Sequence, residues 1–421
     1  MDLRPRLDVI PMEIMENIVT LLALSDTCSL RLTGREVSAK SSQGIFKSHF
    51  RNKTITTSSS EQLHQAVSMT QRHGFGCLLE HLTLVGLPKS RNPKDAAVLL
   101  GQTMKNLRLG LAGGCLPSVS LVIEDGVKYE GHRLTKDSSN WKSVWETAGE
   151  CFVATMQALS ASELPIESLD VFSSVTCCSL SLDRLATIGE LNLSASLQQL
   201  KQLSMSLSHH MVYELGRKES EESEEMQALA TGERHTIAVC KFLQHCSPAL
   251  ENLHLHWYRL RTINLSNAIS EEQHFFDRVA QSCRFPFLKR CILKGIRTSD
   301  ATLISFLRQV QLNSIEMEDV HLYSGEFRLV FDYLVKHMGQ LEHVHLNDLW
   351  ESKLIYFDAP GEPHFPGSEP PIGPNTLTRT GADARMPIKY QHSRGFALDT
   401  PECNQWVRKR QVQYGPPGKP W

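Results

Sequence analysis

No stretch of this sequence is long and apolar enough to cross a bilayer: the longest apolar one, Ile18–Leu24, is far short of the ~20 residues a membrane helix needs. Excess charge of one sign is also lacking, since 44 Lys+Arg stand against 46 Asp+Glu, a net of -2. A dedicated nucleic-acid binder usually carries a strong basic excess, so this balance argues against nucleic acid and leaves protein partners open. No Cys-x-x-Cys occurs. The eleven cysteines are odd in number and scattered, with only Cys177-Cys178 close together. Adjacent cysteines rarely bridge each other, so the thiols are expected to act as small buried apolar residues in a reducing compartment, cytosol and/or nucleus. Glu13 and Glu16 interrupt the apolar N-terminal segment and no small-residue cleavage site follows it, which argues against a secretory signal.

What is present is ordinary globular composition, 41% hydrophobic and 21% charged over 421 residues. That excludes a wholly disordered or collagen-like chain and fits two to four units or one extended array. The sequence divides into a helical pattern over 8–50, alternating strands and helices over 51–350, and a different segment over 351–421. This last segment holds eleven of the nineteen prolines. It is expected to be a Pro/Gly-rich tail, partly disordered or lying along the body as extended chain. The acidic run Glu219–Glu225 reads as a solvated loop.

Near the N-terminus, Pro11 suits the first turn of a helix. Ile14, Ile18, Leu21 and Leu22 then recur at amphipathic spacing. Ser25 or Asp26 is placed to cap a second helix carrying Cys28, Leu30 and Leu32, and Thr33-Gly34 breaks it. A third helix is expected from about Arg35 to Phe50. Three helices in so short a span bury too little surface for strong stability alone, which points to a docking role.

The ordered set Ile10-Pro11-Met12-Glu13-Ile14, Ile18, Leu22, Asp26, Leu30-Arg31-Leu32 and Arg35, followed by Phe46 and Phe50, resembles an F-box. The version with Leu-Arg-Leu and Arg is similar to F-box proteins of filamentous fungi. Ile10 departs from the commoner Leu, and Ile45-Phe46 stand where the third helix often carries a tryptophan. The resemblance implies a Skp-family adaptor as partner and, through it, a cullin ubiquitin ligase. Pro11, Met12, Ile14, Ile18, Leu22, Leu30 and Leu32 would supply the contact or its support. Without the resemblance, the same residues read equally as the core of a helical cap.

A second pattern, L-x-x-L-x-L with apolar substitutions, starts at Leu79, Leu116, Ile166, Leu200, Leu250, Leu288, Leu312 and Leu341. The last two apolar positions of each unit share one strand face. Helix-like segments fall between them at Glu61–Arg72, Ala148–Ser160, His235–His245, Glu271–Ser282, Asp300–Gln309 and Glu326–His337. One such unit buries too few side chains to offset the ordering of its backbone, so units are expected to stack on a shared core. The array resembles degenerate leucine-rich repeats with insertions, an irregular α/β solenoid. A non-repetitive α/β domain with similar strands is the alternative.

In such a solenoid the exposed strand positions line a concave face. They include Thr83, Ser120, Asp170, Ser204, His254, Ile292, Glu316 and His345, and next to them Phe172, His256, Lys294, Glu318 and Asn347. A target-binding face is expected on Asp170, Phe172, His254, His256, Lys294, Glu316, Glu318 and His345, with Trp257 and Tyr258 as aromatic anchors.

Catalytic signals are missing: no Gly-x-Ser-x-Gly elbow, no Gly-Lys-Ser/Thr after Gly110–Gly114, and no Cys/His quartet around the His254/His256 or His343/His345 pairs. Neither a metal nor a cofactor is expected. Arg408-Lys409-Arg410 reads as solvated tail or a weak nuclear signal. The expected function is that of a non-catalytic adaptor recruiting an unknown target protein to a ubiquitin ligase. A scaffold without that role, or an α/β enzyme with an unrecognised site, are the rivals.

Overall fold

The computed structural model describes residues 7–71, 75–88, 90, 95–111, 113–124, 139–176, 178–209, 234–258, 274–361, 365, 373–392 and 401–414. The acidic run at 219–225 lies outside them.

The N-terminal unit contains α1 (Met12–Thr20), α2 (Leu24–Arg31), α3 (Arg35–Ser41) and α4 (Gly44–Ser48). The single third helix expected from the pattern is broken after Ser41, and Gly44 takes φ +42° at the restart, a conformation glycine adopts without a Cβ penalty. Ala23, and neither Ser25 nor Asp26, precedes α2, with no side-chain cap.

Beyond it the chain alternates β1 (Asn52–Thr56), α5 (Ser60–Thr70), β2 (His81–Gly86), α6 (Ala96–Gly110), β3 (Leu116–Ile123), α7 (Ser139–Ser162) and β4 (Ile166–Val171). It continues with β5 (Leu180–Ser181), α8 (Leu182–Thr187), α9 (Ser194–Leu197), β6 (Gln202–Ser208), α10 (Arg234–Cys246), β7 (Asn252–Tyr258) and α11 (Phe275–Ser282). Then come β8 (Arg290–Lys294), β9 (Arg297–Ser299), α12 (Asp300–Leu307), β10 (Ser314–Glu318), β11 (His321–Ser324), α13 (Phe327–His337) and β12 (His343–Asn347). The last described elements are β13 (Ile355–Phe357), β14 (Thr376–Thr380), β15 (Tyr390–His392) and α14 (Pro401–Tyr414).

Mixed α/β architecture results, built on an eleven-stranded, mostly parallel sheet. Strands β1, β2, β3, β4, β6, β7, β8, β10 and β12 follow one another in sequence order, each parallel to the last. Burial explains why. Strands β8, β10 and β12 alternate buried and part-exposed residues, so one face is fully covered. That face carries Leu253 and Leu255, Cys291 and Leu293, Ile315 and Met317, and Val344 and Leu346, all at 1% exposure or less. Helices α5–α6–α7 and α10–α11–α12–α13 pack each against the next, and their apolar stripes close the core. Ser59 and Ser299 cap α5 and α12, accepting from the N–H of Gln62 and Thr302.

A repeated turn ends several strands. Phe172, Gly295, Asp319 and Asp348, each just past its strand, take φ between +52° and +69°. Their N–H groups donate to Leu121, Glu318, Asn347 and Asn375 carbonyls at 2.9–3.2 Å. At Gly295 the requirement is steric as well, because a Cβ would lie 2.1 Å from the Trp257 carbonyl oxygen.

Among the described residues of 351–421, extended chain does lie along the body as β14, and further strands and a helix stand beside it. Strand β14 pairs antiparallel with β12, Leu377 opposite Leu346, and covers the edge of the parallel array. Strands β13 and β15 pair with each other, and α14 is a fourteen-residue helix. Leu377, Ala384 and Phe365 are buried. Leu377 and Ala384 join the core of the body, whereas Phe365 packs with Leu354 and Tyr356 in a small separate cluster against Trp350 and Trp406.

Candidate functional site

Two surfaces gather the residues singled out by the sequence. The first is the outer side of the N-terminal helices. Inside that unit Met15, Val19, Val37 and Phe46 are buried. The Arg31 guanidinium lies 4.1 Å from the Phe46 ring centroid and donates to Ser42 Oγ at 2.8 Å. Lys40 Nζ donates to the carbonyls of Asp8 and Ile10 at 2.7 and 2.9 Å. These contacts fix α3 against the start of the chain.

In α1 the inward stripe is therefore Met15 and Val19, and the Ile14–Ile18–Leu21 stripe turns away. Ile14 is 50% exposed, Leu21 87% and Leu32 89%. Met12 and Pro11 are exposed too, whereas Ile18, Leu22 and Leu30 are half-buried. None of the seven proposed contact residues belongs to the core. Leu24 and Ile45 add to the exposed apolar surface.

The second surface is the sheet face opposite the main helical layer, part of which α14 overlies. Cross-strand register places Asp170, Ser204, His254, Ile292, Glu316 and His345 in one row. Ser206, His256, Lys294, Glu318 and Asn347 form the next. Opposite charges interlock along these rows. Arg290 reaches Glu316 at 2.6 Å, Lys294 reaches Glu318 at 2.9 Å, and His343 and His345 lie 3.9 and 4.0 Å from the same two carboxylates. His345 Nδ1 is 2.8 Å from Thr378 Oγ1 on β14.

At the strand ends this face sinks into a recess of about 200 Å³ that includes Ser173, Thr176, His254, His256, Lys294 and Glu318 in its lining. That is below the roughly 300–1,000 Å³ of ordinary small-molecule sites. Burial pushes His254 down to about 4, with Lys294 adding repulsion. His256 falls to about 3 through burial, then through His254 and Lys294. Both imidazoles are therefore neutral at pH 7 rather than cationic. The ring of His256 packs 4.2 Å from Tyr258.

Three residues expected on the face are not there. The Phe172 side chain is fully buried in the core because its positive φ swings it out of the strand's alternation. Trp257 is 1% exposed and packs 5.0 Å from Phe275, and Tyr258 is buried beside Trp145. Neither aromatic is an exposed anchor. No group of three or more metal-ligating side chains occurs among the described residues.

A third cluster escaped the sequence reading. Arg410 of α14, read as solvated tail, is 7% exposed and forms ion pairs with Asp319 and, at 2.9 Å, with Asp348. Its guanidinium lies 4.7 Å from the Trp406 ring centroid and 5.4 Å from that of Trp350. Trp406 Nε1 and Asn375 Nδ2 donate to Asp348 at 3.1 and 2.5 Å. Burial pushes the Asp348 carboxyl up to about 7, against those two hydrogen bonds; a guanidinium beside it favours the ionised form. The available signal was the acid directly after the strand in two successive units, Glu318-Asp319 and Asn347-Asp348, with a basic triplet in the tail.

Compared with protein-family models and with curated proteins, the chain finds no match.

Proposed function

We propose that this chain is the target-recruiting, non-catalytic subunit of a cullin-type ubiquitin ligase. Residues 8–50 serve as an F-box that binds a Skp-family adaptor. Residues 51–350 serve as a degenerate leucine-rich-repeat solenoid whose sheet face opposite the main helical layer binds a target protein. One observation carries this reading: the seven residues proposed to contact the adaptor are not the core of their own unit. Met15, Val19, Val37 and Phe46 fill that role, and Ile14, Leu21 and Leu32 are left on the surface. An apolar stripe on so small a unit marks a docking face. Strands in sequence order, stacked on one continuous core, support the repeat reading.

The mechanism needs no nucleophile from this chain. Holding a target on the sheet face and an adaptor on the helices makes ubiquitin transfer effectively intramolecular, which raises its rate through local concentration.

Co-purification of the chain with a Skp-family adaptor tests the reading. Wild type is expected to retain the adaptor. Ile14→Asp, at an exposed position, is expected to stay folded by circular dichroism and to lose it, because a charge there must be desolvated against an apolar partner. A wild-type chain that retains no adaptor sinks the proposal.

A further inference from the structure

Asp319 and Asp348 occupy the same turn position in successive strand units, directly after β10 and β12. They belong to the strand array, and Arg410 comes from a helix laid upon it. Two nearly buried carboxyl groups, at 1% and 4% exposure, are favoured in the ionised form by a cation with donors aimed at both. A guanidinium suits this, since its planar fork serves two acceptors and stacks on aromatic rings. Trp350 supplies such a ring, and His321 packs on it at 5.3 Å while meeting Asp319 at 3.2 Å. Gln413, one turn further along the same helix, lines the recess over His256. The helix thus sits on the face that the functional reading assigns to the target.

We infer that the notch of Asp319, Asp348 and Trp350 is an arginine-reading pocket of the target-binding face, and that the C-terminal helix, with Arg410 seated there, is a tethered competitor which an arginine-bearing segment of the target displaces. The inference rests on the reading of the sheet face as the target surface. Removing Arg410 leaves two buried carboxyl groups without the cation that both meet, so the emptied notch attracts a replacement guanidinium. Tethering keeps the helix at high local concentration, so only a segment that also gains contacts elsewhere on the face wins.

The test uses the full chain and a fluorescent peptide of residues 401–414. By anisotropy, the Arg410→Ala chain is expected to bind the peptide about tenfold or more tightly than wild type, whose notch is filled. A peptide carrying Arg410→Ala is expected to bind neither, and adding Asp348→Asn to the chain is expected to abolish binding. Equal binding by both chains, or binding that ignores the peptide's arginine, overturns the inference. Should Arg410→Ala fail to fold, hydrogen exchange on wild type decides. Excess unlabelled peptide is expected to accelerate exchange over 401–414 and the arginine-free peptide is not; no acceleration overturns the inference. Adaptor co-purification on the same samples separates the two proposals. Peptide exchange without adaptor leaves the notch and removes the ligase reading, and adaptor without exchange does the reverse.

Discussion

His254 and His256 show how placement on a sheet sets chemistry. Each is neutral in the fold well below the ordinary imidazole value of 6.5, at about 4 and about 3. Between roughly pH 4 and 6.5 the unfolded chain binds protons that the folded chain refuses. Their contribution to stability is therefore full above 6.5 and is lost progressively as pH falls through that window. Lys294 repels their protonation, while Asp170, Glu316 and Glu318 oppose its effect at His254 and the Gln413 backbone does so at His256. Thermal midpoints measured from pH 7 to 4.5 are expected to fall less in a His254→Gln/His256→Gln variant than in wild type. The difference in unfolding free energy should be on the order of 5 kcal/mol at pH 4.5, about half from each histidine. Identical slopes would remove the burial argument. The two histidines were legible as a face pair from their i, i+2 spacing. Their neutrality was not, because it comes from burial that only neighbouring strands supply.

Among the elements, α1 carries the clearest separation of stability from binding. Met15 is completely buried, and its truncation to Ala is expected to cost about 2–5 kcal/mol. Ile14→Ala, half-exposed one position earlier, should stay within about 1 kcal/mol of wild type and yet weaken adaptor retention. Urea unfolding of the two variants beside wild type measures this, and equal losses would mean that Ile14 is core after all. The amphipathic pattern of Ile14, Ile18, Leu21 and Leu22 announced a helix correctly. It did not tell which apolar stripe faces inward, since α1 has two and α3 and α4 select one. Helix α6 lies outside the helix-like segments that the strand units suggest, although Leu100, Met104 and Leu107 have helical spacing and are buried. Exposed pairs such as Arg51–Glu80, Lys201–Glu167 and Lys289–Glu251 join residues at or just ahead of the starts of adjacent strands at 2.8–3.3 Å. At roughly 0–1 kcal/mol each they favour register more than stability.

At the scale of the whole molecule, one hydrophobic core runs unbroken from Ile55 to Ala384. In a stack of this kind each unit depends chiefly on its neighbours. Leu255→Ala, in the middle of the sheet, is therefore expected to raise hydrogen-exchange rates in the flanking strands β6 and β8 well before those in β2 and β12. Uniform acceleration across the sheet would contradict a nearest-neighbour stack. The sequence by itself determined the alternation of strand and helix, the spacing of the strand units and the polar rows between the buried positions, because these follow from periods of 2 and 3.6 along the chain. Only the tertiary structure decided that Phe172 and Trp257 turn into the core, that the proline-rich segment supplies an edge strand and a helix, and that Arg410 meets Asp319 and Asp348. Local spacing fixes the direction a side chain leaves the backbone. What it meets there depends on residues tens of positions away, and in this chain those residues are brought close only by the stacking of the sheet.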